Sequence, residues 1–174
     1  GYIGKHVAAV LDDQGHDVLG LARSESSAEQ LLDRGYEVHS GDLCNKSSLQ
    51  SGVMDADATI HTAFSDDPEK AAALAQDAVS AMLDTVTQTG TMFVYTSDVL
   101  LYGETETEAV DEQTPLDSDA YPWRANVERA VRAADGDNGA KTTALRVGMV
   151  YGDGGNDLLN AIMNRSRNRE TAYY

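Results

Sequence analysis

The chain opens on two glycines three positions apart, Gly1 and Gly4, which lead into a segment with helical periodicity. A helix N-terminus offers free backbone N–H groups and the positive end of the helix dipole, so it attracts anions. A side chain at Gly1 would block the approach of a phosphate, and Gly4 would let the helix pack closely on a strand. The spacing therefore favours the second half of a glycine-rich turn for a dinucleotide pyrophosphate. The alternative is an ordinary glycine-containing turn before a helix.

Helical and strand patterns alternate along the rest of the 174-residue chain. Short apolar runs predict strands at 17–22, 36–39, 58–63, 91–96 and 142–147. Amphipathic or alanine-rich stretches predict helices at 4–15, 24–34, 69–89 and 120–134 and within 154–167. This alternation is typical of a parallel α/β sheet, and the length is sufficient for one domain with a sizeable core.

The charge of the chain is strongly acidic, with 29 acidic and 13 basic residues and a net charge of −16 at pH 7. An acidic surface repels nucleic acid and anionic membranes, so neither is an expected partner. Such a charge indicates either an acidic patch for a cationic partner or an adaptation to high salt, which screens the self-repulsion. Because the acids are dispersed and lysines are few, we expect a halophilic source.

Other compositional features exclude several kinds of site. The single cysteine, Cys44, excludes an internal disulfide framework, fits a reducing cytoplasm and is interpreted as a small packing residue. The four histidines are scattered without ligand spacing, so no metal site is expected. No apolar run approaches the roughly 20 residues that a membrane helix needs.

Five segments, taken in order, resemble motifs of the extended short-chain dehydrogenase/reductase superfamily, in particular its NAD(P)-dependent epimerase/dehydratase-like group. The segments are Gly1-Tyr2-Ile3-Gly4, Gly41-Asp42-Leu43, Ile60-His61-Thr62-Ala63, Tyr95-Thr96-Ser97 with Leu101-Tyr102-Gly103, and 145–152. The resemblance implies a Rossmann-type doubly wound parallel sheet of strand order 3-2-1-4-5-6 and 7, followed by a smaller substrate lobe. We therefore expect residues 1–152 to form an N-terminally incomplete Rossmann domain that lacks its first strand. Residues 153–174 would begin a truncated C-terminal substrate lobe.

The resemblance also implies a set of cofactor contacts in these motifs, namely Gly1, Tyr2, Ile3, Gly4, Asp42, Leu43, Thr62, Ala63, Val147 and Met149. Cofactor preference is argued from the end of the predicted strand 17–22, where NAD-binding members place a carboxylate for the ribose 2′-OH. Ala22 stands there, and the next residue, Arg23, would bind a 2′-phosphate through charge-assisted hydrogen bonds. This favours NADP, with NAD as the alternative.

For catalysis, the resemblance implies a serine or threonine, a tyrosine, and a lysine four residues after the tyrosine. Ser97 is the candidate serine, although a count back from Tyr102 places Asp98 at that position. Tyr121 and Arg124 occupy the tyrosine–lysine region, but they stand only three positions apart.

Alternatives stay open at this region. Alignment on Glu128 places Arg124 at the lysine position and Ala120 at the tyrosine position. Arg124 would otherwise form an ion pair with Glu128 one helical turn further on, and Tyr121 would pack at the start of the helix. The chain is thus expected to be either an enzyme with a modified triad of Ser97, Tyr121 and Arg124, or a non-catalytic NAD(P)-binding sensor.

The expected partner of the enzyme is a small molecule with a carbonyl or hydroxyl group, and a nucleotide sugar is one candidate. Members of the family often pair through two long helices, which here correspond to 69–89 and 120–134. A homodimer is therefore a further expectation from the resemblance.

Overall fold

The computed structural model describes residues 1–65, 67–106, 109–117, 119, 121–153, 155 and 163–164. Within these residues helices and strands alternate along the chain. The helices are α1 (Tyr2–Asp13), α2 (Glu25–Leu32), α3 (Lys46–Met54), α4 (Pro68–Thr89) and α5 (Pro122–Ala133). The strands are β1 (Leu19–Ala22), β2 (Glu37–Ser40), β3 (Ala58–His61), β4 (Met92–Asp98) and β5 (Lys141–Val147). Short 3-10 turns span Val99–Tyr102 and Asp137–Gly139.

The strands form two parallel sheets, a two-stranded sheet of order β1-β2 and a three-stranded sheet of order β3-β4-β5. In the larger sheet His61 pairs with Tyr95, and Asp98 pairs with Val147. Within the described residues no strand pairs with both β1 and β3, as expected of a sheet without its first strand. The predicted α/β class with a parallel sheet is confirmed.

The main hydrophobic core lies between the larger sheet and helices α3, α4 and α5. Its buried side chains include Leu49 and Val53 of α3, Val86 of α4, Phe93 of β4 and Val131 of α5. Burial of such aliphatic and aromatic side chains contributes about 1.5–3 kcal/mol each to folding. This core fixes the positions of β4 and α5, which carry the candidate catalytic residues.

Helix α4 is bounded by strong local signals at both ends. The Asp67 side chain accepts the backbone N–H of Glu69 at 3.1 Å, and Pro68 occupies the first turn, where its missing N–H costs nothing. At the other end Gly90 adopts a left-handed conformation with φ of 70°, which closes the helix. These signals explain why this helix is predicted almost to its exact bounds.

Near α3 one helix is missed and one prediction is wrong. The helix itself is not predicted, because only Leu49 and Val53 are buried along its serine-rich sequence and the apolar periodicity is weak. Its start is fixed instead by Asn45, whose side chain accepts the backbone N–H of Ser48 at 3.1 Å. Cys44 is exposed and does not pack in the core, because it lies in the turn before this helix.

The region after β5 is described only in part. The predicted helix within 154–167 and the predicted start of a second lobe at 153–174 fall almost entirely outside the described residues. Tyr2 reaches this region from α1, since its hydroxyl donates a hydrogen bond to the carbonyl oxygen of Gly152 at 2.9 Å. A Cβ at Gly155 would lie 2.1 Å from the Tyr2 ring, so only glycine fits there.

Candidate functional site

The sequence-predicted residues converge at the carboxyl edge of the two sheets. Because all the paired strands are parallel, the residues that end or follow each strand lie at that edge. These residues are Arg23 after β1, Asp42 and Leu43 after β2, Thr62 and Ala63 after β3, Ser97 and Asp98 at the end of β4, and Val147 and Met149 at and after the end of β5. Ligands of open α/β sheets bind at this edge, so the predicted positions are mutually consistent.

Helix α1 begins beside the end of β3. A Cβ at Gly4 would lie 2.8 Å from the Thr62 hydroxyl oxygen, so at this glycine α1 closely approaches the segment after β3. A Cβ at Gly1, the residue that precedes the helix, would meet no atom within 4 Å. The start of α1 presents backbone N–H donors of the kind that bind an anionic group such as a pyrophosphate.

Arg23 and Asp42 face each other across the ends of β1 and β2. The Arg23 Nε lies 3.8 Å from an Asp42 carboxylate oxygen, and the Arg23 side chain is largely exposed. Asp42 also accepts the backbone N–H of Cys44 at 2.8 Å. This hydrogen bond, helped by the charge of Arg23, lowers the pKa of Asp42 and keeps it ionised. A 2′-phosphate at Arg23 would share the guanidinium with this carboxylate.

Ser97 lies in a buried polar network and not on the surface. Its hydroxyl donates a hydrogen bond of 2.5 Å to a carboxylate oxygen of Glu128, which is fully buried. Arg146 donates to the other oxygen through Nε at 2.9 Å and Nη2 at 2.7 Å. Three donors thus satisfy a buried carboxylate that would otherwise be very costly. Glu128 therefore does not form the ion pair with Arg124 that the sequence offered as an alternative.

The network extends to the loop after β4. Arg146 Nη1 donates to the Tyr102 hydroxyl at 2.6 Å, and that hydroxyl donates to the carbonyl oxygen of Asp111 at 2.8 Å. The guanidinium carbon also lies 4.8 Å from the Tyr102 ring centroid. The hydrogen bond to Glu128 is the largest cause that raises the pKa of Arg146. The network therefore ties β4, α5 and β5 to the acidic loop beside the carboxyl edge.

A cavity of about 330 Å³ opens at this edge, between the end of β4, the start of α5 and the segment after β3. Its lining residues are Phe64, Ala71, Asp98, Leu100, Tyr121, Trp123 and Arg124. The structure therefore brings Tyr121 and Arg124 together as predicted, but with Asp98 rather than Ser97 as their polar companion. The role of Ser97 in catalysis stays a prediction.

Arg124 contacts aromatic rings in this cavity. Its guanidinium carbon lies over the Trp123 ring at 4.9 Å and over the Phe64 ring at 5.4 Å from the centroids, both within cation–π range. Asp98 accepts the backbone N–H of Leu100 at 2.9 Å and so begins the 3-10 turn. The cavity therefore combines an apolar, largely aromatic wall with one carboxylate and one guanidinium.

His61, at the end of β3, is buried and neutral. Its ring packs beside those of Phe93 and Tyr95, with centroid distances of 6.4 and 5.6 Å. Burial lowers its pKa from 6.5 to about 4, and its Nε2 atom has no hydrogen-bond partner in the described structure. Burial likewise raises the pKa of Tyr95. These two side chains form an uncharged layer beneath the carboxyl edge.

Sequence reasoning missed several residues of the site. From the sequence alone, Glu128 is considered only as an alignment position and as a partner of Arg124, and Arg146 only as part of the segment 145–152. A single arginine inside the apolar strand 142–147 nevertheless signals a buried ion pair, since arginine is almost never buried unpaired. Phe64 and Trp123 carried no signal, because they come from segments about 60 residues apart in the chain. Only the fold brings them to one cavity.

Two kinds of site are not found in the described part of the chain. Its residues include no group of three or more histidine, cysteine, aspartate or glutamate side chains placed to hold a metal ion. None of the helices described there is both long enough and apolar enough to cross a membrane.

The parallel strands, the helix N-terminus at β3 and the residues at the carboxyl edge define a Rossmann-type α/β nucleotide-binding fold. The sequence profile of the NAD dependent epimerase/dehydratase family matches residues 1–171. The chain therefore belongs to the NAD dependent epimerase/dehydratase family, and the resemblance to the extended short-chain dehydrogenases is confirmed.

Individual known proteins are also similar to this chain. The chain is 29% identical over 170 residues to the uncharacterized protein YLL056C of Saccharomyces cerevisiae, a match that covers 94% of this chain and 56% of the yeast protein. Its fold is similar to that of UDP-glucose 4-epimerase of Thermus thermophilus in complex with NAD, with a TM-score of 0.80, 21% identity and coverage of 99% of this chain. A short-chain dehydrogenase/reductase superfamily protein of Agrobacterium tumefaciens with bound NAD gives a TM-score of 0.69 and 26% identity over 84% of this chain.

The chain is shorter than these relatives. It covers 56% of the yeast protein, 61% of the epimerase chain and 46% of the Agrobacterium chain. The likeness to the epimerase, at 21% identity, concerns the fold alone.

Proposed function

We propose that this chain is the cofactor-binding part of an NAD(P)-dependent oxidoreductase or epimerase/dehydratase-like enzyme that acts on a small molecule with a carbonyl or hydroxyl group. The observation that carries the proposal is that Asp98, Tyr121 and Arg124 line one cavity at the edge where the cofactor residues converge. The NAD complexes among the structural relatives support the choice of cofactor class. The epimerase among them makes a nucleotide sugar one candidate substrate.

In this proposal Tyr121 transfers a proton to or from the substrate oxygen, and Arg124 supplies positive charge in the same cavity. A bound nicotinamide would exchange a hydride with the substrate carbon. The Ser97 hydroxyl would have to leave Glu128 to reach the substrate. Asp98 is already in the cavity, so we propose that its carboxylate accepts a hydrogen bond from a substrate hydroxyl.

For the cofactor we propose NADP, with NAD as the alternative. Arg23 is exposed and free to turn toward a 2′-phosphate, which it would bind more strongly than the carboxylate of Asp42. Asp42 opposes this preference, because its negative charge repels the same phosphate. Binding of NADPH at least as tight as that of NADH, and a loss of NADPH binding alone in Arg23→Gln, would support the assignment.

A non-catalytic sensor is the second candidate, and the engagement of Ser97 by buried Glu128 favours it. Removal of the Tyr121 hydroxyl separates the two functions. In an enzyme, Tyr121→Phe should abolish turnover of a carbonyl substrate and leave cofactor affinity unchanged. Tyr36→Phe, which removes a phenol at the start of β2, is the matched control. If no carbonyl compound is reduced by the wild type while NADPH binds, the enzyme proposal fails and the sensor remains.

We also propose that the chain forms a homodimer through α4 and α5. A groove of about 490 Å³ runs between these helices and is lined by Leu83 and Val127 with small side chains such as Ser80 and Ala130. Sedimentation of the wild type and of Ala130→Arg tests it, because a charged side chain in the groove should leave a monomer if the groove is the interface.

A further inference from the structure

The Arg124 guanidinium contacts two aromatic rings in the cavity. Among the residues that the structure describes, no oxygen accepts a hydrogen bond from it and no carboxylate forms an ion pair with it. Its contacts are the rings of Trp123 and Phe64, which favour a cation but accept none of its five N–H groups at the guanidinium edge. The side chain is half-buried and lines the cavity, so its guanidinium is accessible to a ligand.

A ligand that supplies two oxygen atoms in a plane would satisfy this group. A carboxylate matches the guanidinium edge with two parallel hydrogen bonds, while the rings hold the guanidinium in position. The rest of the wall is apolar, since Leu100, Ala71 and the two rings face the same space. The preferred ligand is thus an acid with an apolar or aromatic body.

Asp98 sets the orientation of such a ligand. One Asp98 oxygen accepts a hydrogen bond from the backbone N–H of Leu100, which holds the carboxylate in place. The charged groups of a ligand therefore meet a negative charge at a fixed position. A ligand carboxylate is repelled from Asp98 and drawn to Arg124. A ligand hydroxyl can donate to Asp98 at the opposite side of the cavity.

We propose that this cavity binds a small carbonyl- or hydroxyl-bearing carboxylic acid with an aromatic or apolar body, its carboxylate on Arg124 and, in a hydroxy acid, its hydroxyl group toward Asp98. The inference rests on the proposed function, because it names the substrate class of the same cavity. Under this inference the substrate need not be a nucleotide sugar, since the cavity offers one guanidinium and aromatic walls rather than several phosphate-binding groups.

The experiment uses the fact that Trp123 is the single tryptophan of the chain, so tryptophan emission reports on this cavity. The wild type is titrated with phenylpyruvate and with phenylacetone, a neutral ketone in which a methyl group replaces the carboxylate. Emission of Trp123 is followed, with correction for ligand absorbance. We expect phenylpyruvate to bind about tenfold or more tightly than phenylacetone, the effect of a charge-assisted hydrogen-bonded pair.

Single-residue variants test which side chains cause the preference for phenylpyruvate over phenylacetone. Arg124→Gln should weaken phenylpyruvate binding about tenfold and leave phenylacetone binding unchanged. Arg132→Gln, which removes the same charge from the exposed end of α5, should change neither. Asp98→Asn should tighten phenylpyruvate binding severalfold, because it removes the opposing charge. Equal wild-type affinity for both ligands, no quench by either, or equal effects of the two arginine variants would overturn the inference.

A parallel NADPH titration, followed by nicotinamide emission, keeps this inference distinct from the proposed function. If NADPH binds and the two ligands are not distinguished, the substrate class is wrong and the proposed function stands. If the acid is selected by Arg124 and neither NADPH nor NADH binds, the cavity inference stands and the proposed enzyme fails.

Discussion

The two halves of the molecule differ sharply in how they are packed. In the half built on β3, β4 and β5, Val86, Phe93 and Val131 are fully buried between sheet and helices. In the half built on β1 and β2, neither α1 nor α2 contains a buried residue, although both helices are described in full. Among the described residues, the first half therefore contributes most of the buried apolar surface, while the second half presents candidate cofactor residues on helices with little burial.

The ion pairs of the two halves follow the same division. Arg146 and Glu128 are buried and joined by hydrogen bonds of 2.7 and 2.9 Å, whereas Arg23 and Asp42 are 3.8 Å apart with an exposed arginine. A buried pair is strongly destabilising when one partner is removed, but an exposed pair contributes little because water screens it. The buried pair of Arg146 and Glu128 thus stabilises the fold of the first half, whereas the exposed Arg23 of the second half is available for a ligand.

The largest expected effect is at Glu128. Glu128→Ala leaves the Arg146 guanidinium and the Ser97 hydroxyl buried without their acceptor, so the free energy of unfolding should fall by about 3–5 kcal/mol. Chemical denaturation measures it. The control Glu37→Ala, at an exposed position of β2, should stay within about 0.5 kcal/mol. Similar values for the two variants would show that the buried network does not stabilise this half.

The same substitution in each half compares their packing directly. Val86→Ala in α4 removes two methyl groups from a fully buried site and should cost about 2–3 kcal/mol. Val10→Ala in α1, where the side chain is 60% exposed, should cost less than about 0.5 kcal/mol. Denaturant midpoints of the two variants measure these losses. Equal losses of unfolding free energy would contradict the difference in packing between the two halves.

The His61 site makes stability depend on pH. Its pKa is about 4 in the folded chain against 6.5 for the free side chain, so the unfolded chain binds a proton first as the pH falls. The stabilisation from neutral His61 is full above pH 6.5 and is lost between pH 6.5 and 4. We expect a loss of about 2 kcal/mol between pH 7 and 5.

Thermal or chemical unfolding at both pH values measures this loss. His61→Phe should reduce the pH dependence in that window, while His16→Gln, at an exposed position, should leave it unchanged. An unaltered pH dependence in His61→Phe would refute the assignment.

The smallest effect is expected at the exposed pair. Asp42→Asn should lower the free energy of unfolding by less than about 1 kcal/mol, because the pair with Arg23 is screened by solvent. Its carboxylate has a lowered pKa, so its contribution is present at neutral pH and is lost in acid. Asp42→Asn should also tighten NADPH binding at low salt, because it frees Arg23. That result would strengthen the contrast between the exposed and the buried ion pair. A stability loss as large as that of Glu128→Ala would contradict it.

A structural feature can be predicted from the sequence when the residues that determine it lie close together in the chain. The strands and α4 follow from local apolar runs, an N-terminal proline and a C-terminal glycine, and they are predicted well. The carboxyl edge follows in turn from parallel strands. Helix α3 is missed because its burial rests on two side chains, Leu49 and Val53, in a helix that packs against distant α4.

The candidate site illustrates the limit most clearly. Ser97 and Asp98 are adjacent in β4, and successive side chains of a strand point to opposite faces. A count that shifts by one residue therefore exchanges a buried partner of Glu128 for a residue of the cavity. The sequence leaves both counts open, and only the packing of α5 against β4 decides which side chain reaches the cavity.

The central claim, that the start of α1 is the phosphate site of a dinucleotide, is tested most directly by Gly1→Val. A side chain at this position meets no protein atom within 4 Å for its Cβ, so the fold and its melting temperature should be unchanged. The side chain would occupy the space of the pyrophosphate. Calorimetric titration with NADPH in high KCl should show saturable binding by the wild type and at least about tenfold weaker binding by the variant. Equal affinity in the two proteins, or no binding of NADPH or NADH by the folded wild type, would contradict the account.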